Sequence, residues 1–324
     1  MTVNEIQMVR GARKLLEVCA QVQSGEEVLI VSDDPSVGIA RAIQTAAREM
    51  GAEPLVTYIV PRARDGQEPP AAIAAAMKAA GVFLSPVGKS ITHTRAVKEA
   101  VEAGSRGLVL TQWREDMLVR GGIEADFPAI APICKKLAAA FGRGRRMRVT
   151  TRAGTDLEMD IEGRRGNALT CIVGPGEFSP VPTVEANVSP VEGTAWGRIV
   201  ADVSVPYVGI GVLREPILAE VSEGMITSIL GGEQAQLLQS TLDGFGDPMV
   251  YNIAEYGMGL NPMARVTGCM LEDEAVLKTA HIGIGTSITL GGTVKAACHY
   301  DLLMWEPTVE IDGVVVALHG ELSL

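Results

Sequence analysis

"EEVLIVSDDPSVGIARAIQTAAREMGAEPLVTYIVP", residues 26–61, decides the fold of the first half. "EEVLIVSDD" is a short apolar run bounded by charge, the texture of a strand buried on both faces. "SVGIARAIQTAAREMGA" then repeats apolar residues at helical spacing, with Ser36 placed to cap the helix and Gly51 to stop it. "EPLVTYIVP" is a second strand. The alternation continues outward. "IQMVRGARKLLEVCAQV" lies before it with helical spacing. After it come "PPAAIAAAMKAAG", a helix opening on proline, and "VFLSPV", a strand. "THTRAVKEAVEAG" is another helix, with His93 near its start, and "RGLVLTQ" a fourth strand. Strands alternating with such helices predict a parallel sheet covered by helices on both faces. No GxGxxG or GxxxxGK[ST] occurs, so neither a dinucleotide site nor a P-loop has motif support.

The texture changes near Arg148. "IAPICKKLAAAFG" closes the first half as a helix, and "GRGRRMR" (142–148) reads as a solvated linker. "RVTTRAGTDLEMDIEG" alternates as a hairpin with Ala153-Gly154 near its turn, and "PTVEIDGVVVALHGEL" as another with Asp312-Gly313 at its turn. Between them run short strands separated by Gly and Pro, interrupted by one clear helix, "GEQAQLLQSTLDGFG". The reading is an α/β N-terminal domain with a parallel sheet, residues 1–147, and a β-rich α+β C-terminal domain, residues 148–324. A chain of 324 residues is long for one core, which agrees with two domains.

The net charge of -11 and the lack of a longer basic run argue against nucleic acid. No apolar run reaches the roughly 18 residues a membrane span needs. The N-terminus lacks the apolar core of a secretion signal. Five cysteines, Cys19, Cys134, Cys171, Cys269 and Cys298, are scattered without a CxxC, so free thiols and a cytoplasmic location are expected.

Chemistry concentrates in "HIGIGTSITLGGTVKAACHYD", residues 281–301, which holds two of the four histidines. His299 and Asp301 stand at i and i+2, one face of a strand, about 6.5–7 Å apart along it. His281 lies in "LKTAHIGIG", a neighbouring strand, and Gly283 and Gly285 beside it signal a close approach of backbone or ligand. Two imidazoles and a carboxylate are enough to hold a metal. Glu255 in "NIAEYGMGLNP" and Glu177 in "GPGEFSPVP" are carboxylates in apolar or turn-rich company, costly to bury without a cation. The run "LEDE" (271–274) reads as a solvated turn or helix start. Cys298 reads as a small buried thiol, and His319 as exposed or packing. Thr286 and Ser287 can offer hydroxyls to a ligand. Trp196, Tyr256 and Trp305 flank these segments and offer flat surfaces, though packing is the commoner role.

"GPGEFSPVP…VEGTAWG", "NIAEYGMGLNP", "LEDEAVLKTAHIGIG" and "CHYDLLMWEPTVEIDG" together resemble the aminopeptidase T/S group of metallo-aminopeptidases. They are also similar to its relative, the non-haem iron 2,5-dihydroxypyridine 5,6-dioxygenases. The peptidase resemblance implies metal ligands at Glu177, Glu255, His281, His299 and Asp301, with Glu177 bridging. Val276 and Ile288 stand where peptidases have a further glutamate and a tyrosine. The dioxygenase resemblance puts Glu255 where that branch has a histidine and Gly283 where it has a serine, and keeps the His-x-Asp. The first expectation is a metal-dependent hydrolase of a small amide, peptide or cyclic amide, with Glu255 as catalytic base and Zn, Mn or Co as the ion. The alternative is an Fe(II) dioxygenase opening a hydroxylated N-heteroaromatic ring on His281, His299 and Asp301. A third is a non-catalytic metal-binding homologue. A small-molecule substrate and a homodimer or higher homo-oligomer are implied in each case.

Overall fold

The computed structural model describes residues 5–92, 94–207 and 209–323. The chain forms two compact units: Met1–Ala129 with Leu169–Thr183, and Ile130–Ala168 with Val184–Leu324. The sequence reading drew one boundary after residue 147; here the chain enters the second unit earlier, returns once to the first, and leaves again.

The first unit is built on β1 (Glu27–Ser32), β2 (Glu53–Tyr58), β3 (Val82–Ser85), β4 (Arg106–Val109) and β5 (Phe178–Pro180). They form a parallel sheet in the order β2-β1-β3-β4-β5. The helices are α1 (Glu5–Lys14), α2 (Val37–Glu49), α3 (Ala71–Ala79) and α4 (Arg95–Glu102). Leu29, Val31 and Phe83 on one sheet face pack with Met77 of α3 and Ala96, Val97 and Ala100 of α4. α2 packs against β1 and β2. The α/β expectation is met. His93 lies outside the described residues. Among those residues no helix is long and apolar enough to cross a membrane.

The second unit holds an eight-stranded antiparallel sheet that includes Arg146–Thr150, Asp156–Asp160, Thr308–Ile311 and Val314–Leu318. Both predicted hairpins are present, and Asp312 and Gly313 have the positive φ of a tight two-residue turn. The arginine-rich run is not a linker. α5 (Phe127–Arg143) reaches into it, and a strand starts at Arg146. Arg148 forks onto Asp156 of the paired strand at 2.9 and 3.0 Å. Arginine suits this place because a strand on the solvent side can match it with cross-strand carboxylates.

A second, five-stranded sheet positions the chemistry. Four of its strands are β6 (Glu185–Val188), β7 (Ile253–Gly259), β8 (Thr279–Gly285) and β9 (His299–Trp305). They are antiparallel in the order β9-β8-β7-β6, with Asn167–Leu169 outside β6. Every residue of β7 and β8 is buried. One face carries Tyr256, Met258, Ile282, Ile284, Leu302 and Met304, each almost wholly enclosed. Tyr256 sets its ring edge-on to Phe141 at 5.7 Å. Enclosing such side chains stabilises the fold by about 1.5–3 kcal/mol each. That term offsets what is asked of the other face.

Candidate metal centre

The pairing register puts the polar residues on that other face. Gly257 of β7 lies opposite His281 of β8, Glu255 opposite Gly283, Gly283 opposite Asp301 of β9, and Gly285 opposite His299. Gly259 lies opposite Glu185, and Gly257 opposite Asn187. Side chains on one strand therefore meet glycines on the next. A Cβ at Gly257 would stand 2.2 Å from His281 Nε2, and one at Gly283 would stand 2.7 Å from the His299 ring. The glycines are a floor on which imidazoles lie flat against the sheet, a place no other residue leaves open.

Two groups of ligand-type atoms result, each gathered within 4.8 Å: Glu255, His299 and Asp301, and Glu185, Glu255 and His281. Glu255 belongs to both. In the first, His299 Nε2 lies 2.9 Å from Glu255 Oε2 and 3.3 Å from Asp301 Oδ1. His299 Nδ1 lies 2.8 Å from the Thr286 carbonyl, which can only accept, so Nδ1 carries a proton and Nε2 faces the group. Tyr207 donates its hydroxyl to Asp301 Oδ2 at 2.8 Å. In the second, Asn187 donates to Glu185 Oε1 at 2.8 Å, and Asn167 donates to Asn187 at 2.9 Å. Glu185 Oε2 has no hydrogen-bond partner and sits 3.6 Å from His281 Nε2, beyond hydrogen-bond length.

Three carboxylates and two imidazoles in an enclosed space shift one another. Burial pulls the His299 pKa down, but Asp301 and Glu255 outweigh it, and the imidazole holds its proton well above the ordinary range. Burial would raise Asp301; the close, charged imidazole of His299 overcomes it and brings the carboxyl down to about 2. His281 is likewise raised on balance, burial being outweighed by Glu185, Asp301 and Glu255. Glu185 is pushed well up by burial; His281 opposes this, and Glu274 and Glu255 add to it.

The arrangement suits a divalent cation. Two ligands at right angles about an ion roughly 2.1 Å away stand roughly 3.0 Å apart. The 2.9 and 3.3 Å separations around His299 fit that spacing without rearrangement. A buried carboxylate oxygen left without a partner, as at Glu185, is costly unless a cation meets it.

The sequence-derived residues are thus partly assembled. Glu255, His299 and Asp301 come together, and His281 joins Glu255 in the adjoining group, so the two histidines fall in separate groups. Glu177 lies in the first unit, just before β5, where its carboxylate accepts from Gly174 N at 2.8 Å; neither group includes it. Glu185 and Tyr207 were missed by sequence reading. The "LEDE" run is not solvated: Glu272, Asp273 and Glu274 are buried at the short helix Met270–Asp273. Asp273 is there because it accepts from the backbone of Thr267 and Gly268 at 2.6 and 3.0 Å, closing a loop. Tyr256 faces the apolar side, whereas Trp196 and Trp305 are exposed. His319 is exposed in the last turn. Cys298 is half-buried, its thiol pushed up to about 12 by burial.

Fold and site define a metal-binding protein with an α/β unit and a β-rich unit that carries the ligand-type residues. The sequence profile of 2,5-dihydroxypyridine 5,6-dioxygenases matches residues 7–324, and the chain belongs to that family. A 2,5-dihydroxypyridine 5,6-dioxygenase of Pseudomonas putida is 31% identical over 159 residues. That match covers 45% of this chain and 45% of the relative, so the chain spans less than half the length of the curated relative it matches. The solved 2,5-dihydroxypyridine dioxygenase of Pseudomonas putida KT2440 superposes with a TM-score of 0.82 at 21% identity, covering 99% of this chain and 98% of that one. AmpT of Thermus thermophilus superposes at 0.70 and 18% identity, over 99% and 100%. At these identities both likenesses establish the fold alone. The metallohydrolase expectation is corrected by the family match: the chain falls in a dioxygenase family, and what it shares with AmpT is architecture.

Proposed function

We propose that this protein is a non-haem Fe(II) dioxygenase that opens a hydroxylated N-heteroaromatic ring, with 2,5-dihydroxypyridine the first substrate to try. The observation that carries the reading is the convergence of Glu255 Oε2, His299 Nε2 and Asp301 Oδ1 on the glycine-floored face. These three would hold the ion from one side. The usual donor set that keeps Fe(II) with open positions is two imidazoles and one carboxylate; this group has the same donor types in the opposite ratio, one imidazole and two carboxylates. Bound Fe(II) supplies those open positions and the redox chemistry that dioxygen needs. The chain's own residues do the rest. Thr286 fixes the His299 tautomer, Tyr207 holds Asp301, and Asn187 orients Glu185. Glu185 and His281 face each other at 3.6 Å beside Glu255, placed to answer the charge of a hydroxylated ligand. Five cysteines outside any disulfide agree with a cytoplasmic setting.

The test is an oxygen-electrode assay on protein stripped of metal and reloaded with Fe(II), Mn(II), Co(II) or Zn(II). With 2,5-dihydroxypyridine and Fe(II), oxygen uptake should match loss of the ring chromophore one for one. It should cease under argon and be absent with Zn(II). Ring loss that continues without oxygen, or no uptake with any dihydroxypyridine, would overturn the reading.

A further inference from the structure

Tyr207 belongs to neither ligand group, yet its hydroxyl treats the two oxygens of Asp301 unequally. The phenol oxygen stands 2.6 Å from Met270 Sδ and 2.8 Å from Oδ2, and its one proton goes to the carboxylate, the stronger acceptor. Oδ1 is buried, makes no hydrogen bond, and lies 3.3 Å from His299 Nε2. The phenol is not free to swing away. Its ring stacks on that of Tyr300, the residue before Asp301, with centroids 4.6 Å apart and planes 28° from parallel. Phe245 backs Tyr300 from 6.2 Å. The segment leading to Tyr207 is tied to the strand that carries Asp301, since Asp202 N and Val203 N both donate to the Leu303 carbonyl at 3.1 and 3.2 Å. Backbone and ring stack together set where the hydroxyl can be.

We propose that Tyr207 is a positioning residue that makes Asp301 a one-oxygen metal ligand, committing Oδ2 to the phenol and leaving Oδ1 for the ion. The inference rests on Glu255, His299 and Asp301 being the ligands. A carboxylate free to turn can chelate through both oxygens and fill two coordination positions. Held to one oxygen, Asp301 leaves a position vacant for an incoming molecule. Hydrogen bonds to ligating carboxylates are the usual means by which a protein fixes such geometry.

The experiment is a Co(II) titration of the full-length metal-free protein, followed by visible absorption, for wild type, Tyr207→Phe and His299→Ala. Tyr207→Phe keeps the ring stack and removes one oxygen. Its Co(II) affinity should fall by roughly 10–100-fold, and its Co(II) spectrum should change shape as Asp301 takes on its second oxygen. An unchanged affinity and spectrum overturn the proposal, as does a variant that is merely less stable with the wild-type spectrum. If His299→Ala takes up Co(II) as well as wild type, the ligand assignment itself has failed, which is a different result. Should Tyr207→Phe not fold, a crystal structure of the Co(II)-loaded wild type decides. Binding through Oδ1 alone, with Tyr207 on Oδ2, supports the proposal, and two-oxygen chelation by Asp301 overturns it.

Discussion

On one face of the five-stranded sheet stand Tyr256, Met258, Ile282, Ile284, Leu302 and Met304; on the other, in the same strands, stand Glu185, Glu255, His281, His299 and Asp301. Both faces are enclosed, and they share one set of backbone hydrogen bonds. Period-two alternation lets each strand serve both, so a residue and its chain neighbour answer to opposite demands. The apolar face supplies stability by filling space. The polar face spends some of it, holding charges in a dry place and giving up side chains at 257 and 283 so that imidazoles can lie down. A polar surface of this kind is tolerated because its reverse side encloses large apolar side chains, even at the cost of burying the Tyr256 hydroxyl without a hydrogen-bond partner.

If the faces are separable in this way, substitutions should sort by face. His299→Ala acts most strongly: metal retained after gel filtration, measured by elemental analysis, should fall to near zero. Undiminished metal would mean that the imidazole only packs. Ile282→Ala, on the reverse side, should cost about 2–5 kcal/mol of stability in urea unfolding of the metal-free protein. The folded fraction should bind Co(II) almost as before. Gly283→Ala, one residue on, should cost about 1–3 kcal/mol but weaken Co(II) binding sharply, because its Cβ intrudes on His299. Equal losses of metal affinity from these two substitutions would abolish the distinction between faces.

The mildest effect is that of pH. His299 holds its proton above the ordinary imidazole range in the metal-free protein, and metal binding must displace it. Apparent affinity should therefore rise with pH through neutrality, by about tenfold per unit for each proton displaced, and level off above the folded pKa. Calorimetry at pH 7 in two buffers of different ionisation heat should register proton release. No release would show that His299 is already neutral.

Much of this was legible in the residues. Alternating strand and helix gave the parallel sheet, because buried parallel strands need continuous apolar runs. His299 and Asp301 were legible because i, i+2 spacing means one face whatever the register, and Glu255 because an acid between Ala254 and Tyr256 has no solvent to turn to. Glu185 was not, since "VEANV" reads as an ordinary strand until β6 is known to lie beside β7. Tyr207 was hidden for a similar reason: its partner lies 94 residues on. The acidic "LEDE" run misled because backbone amides some five residues away meet Asp273, and residue type alone says nothing about where a loop's N–H groups point.

The order in which the chain is written has a consequence for its making. β5 is the outer strand of the parallel sheet beside β4, yet it is encoded after α5 and the first hairpin of the other unit. A nascent chain of 147 residues emerging from the ribosome would carry β4 with a bare flank, a surface apt to recruit foreign strands. Protease digestion of stalled translation products should find residues 1–147 readily cut and a product extending past residue 190 resistant. Equal resistance in both would show that the early segment matures without its late strand.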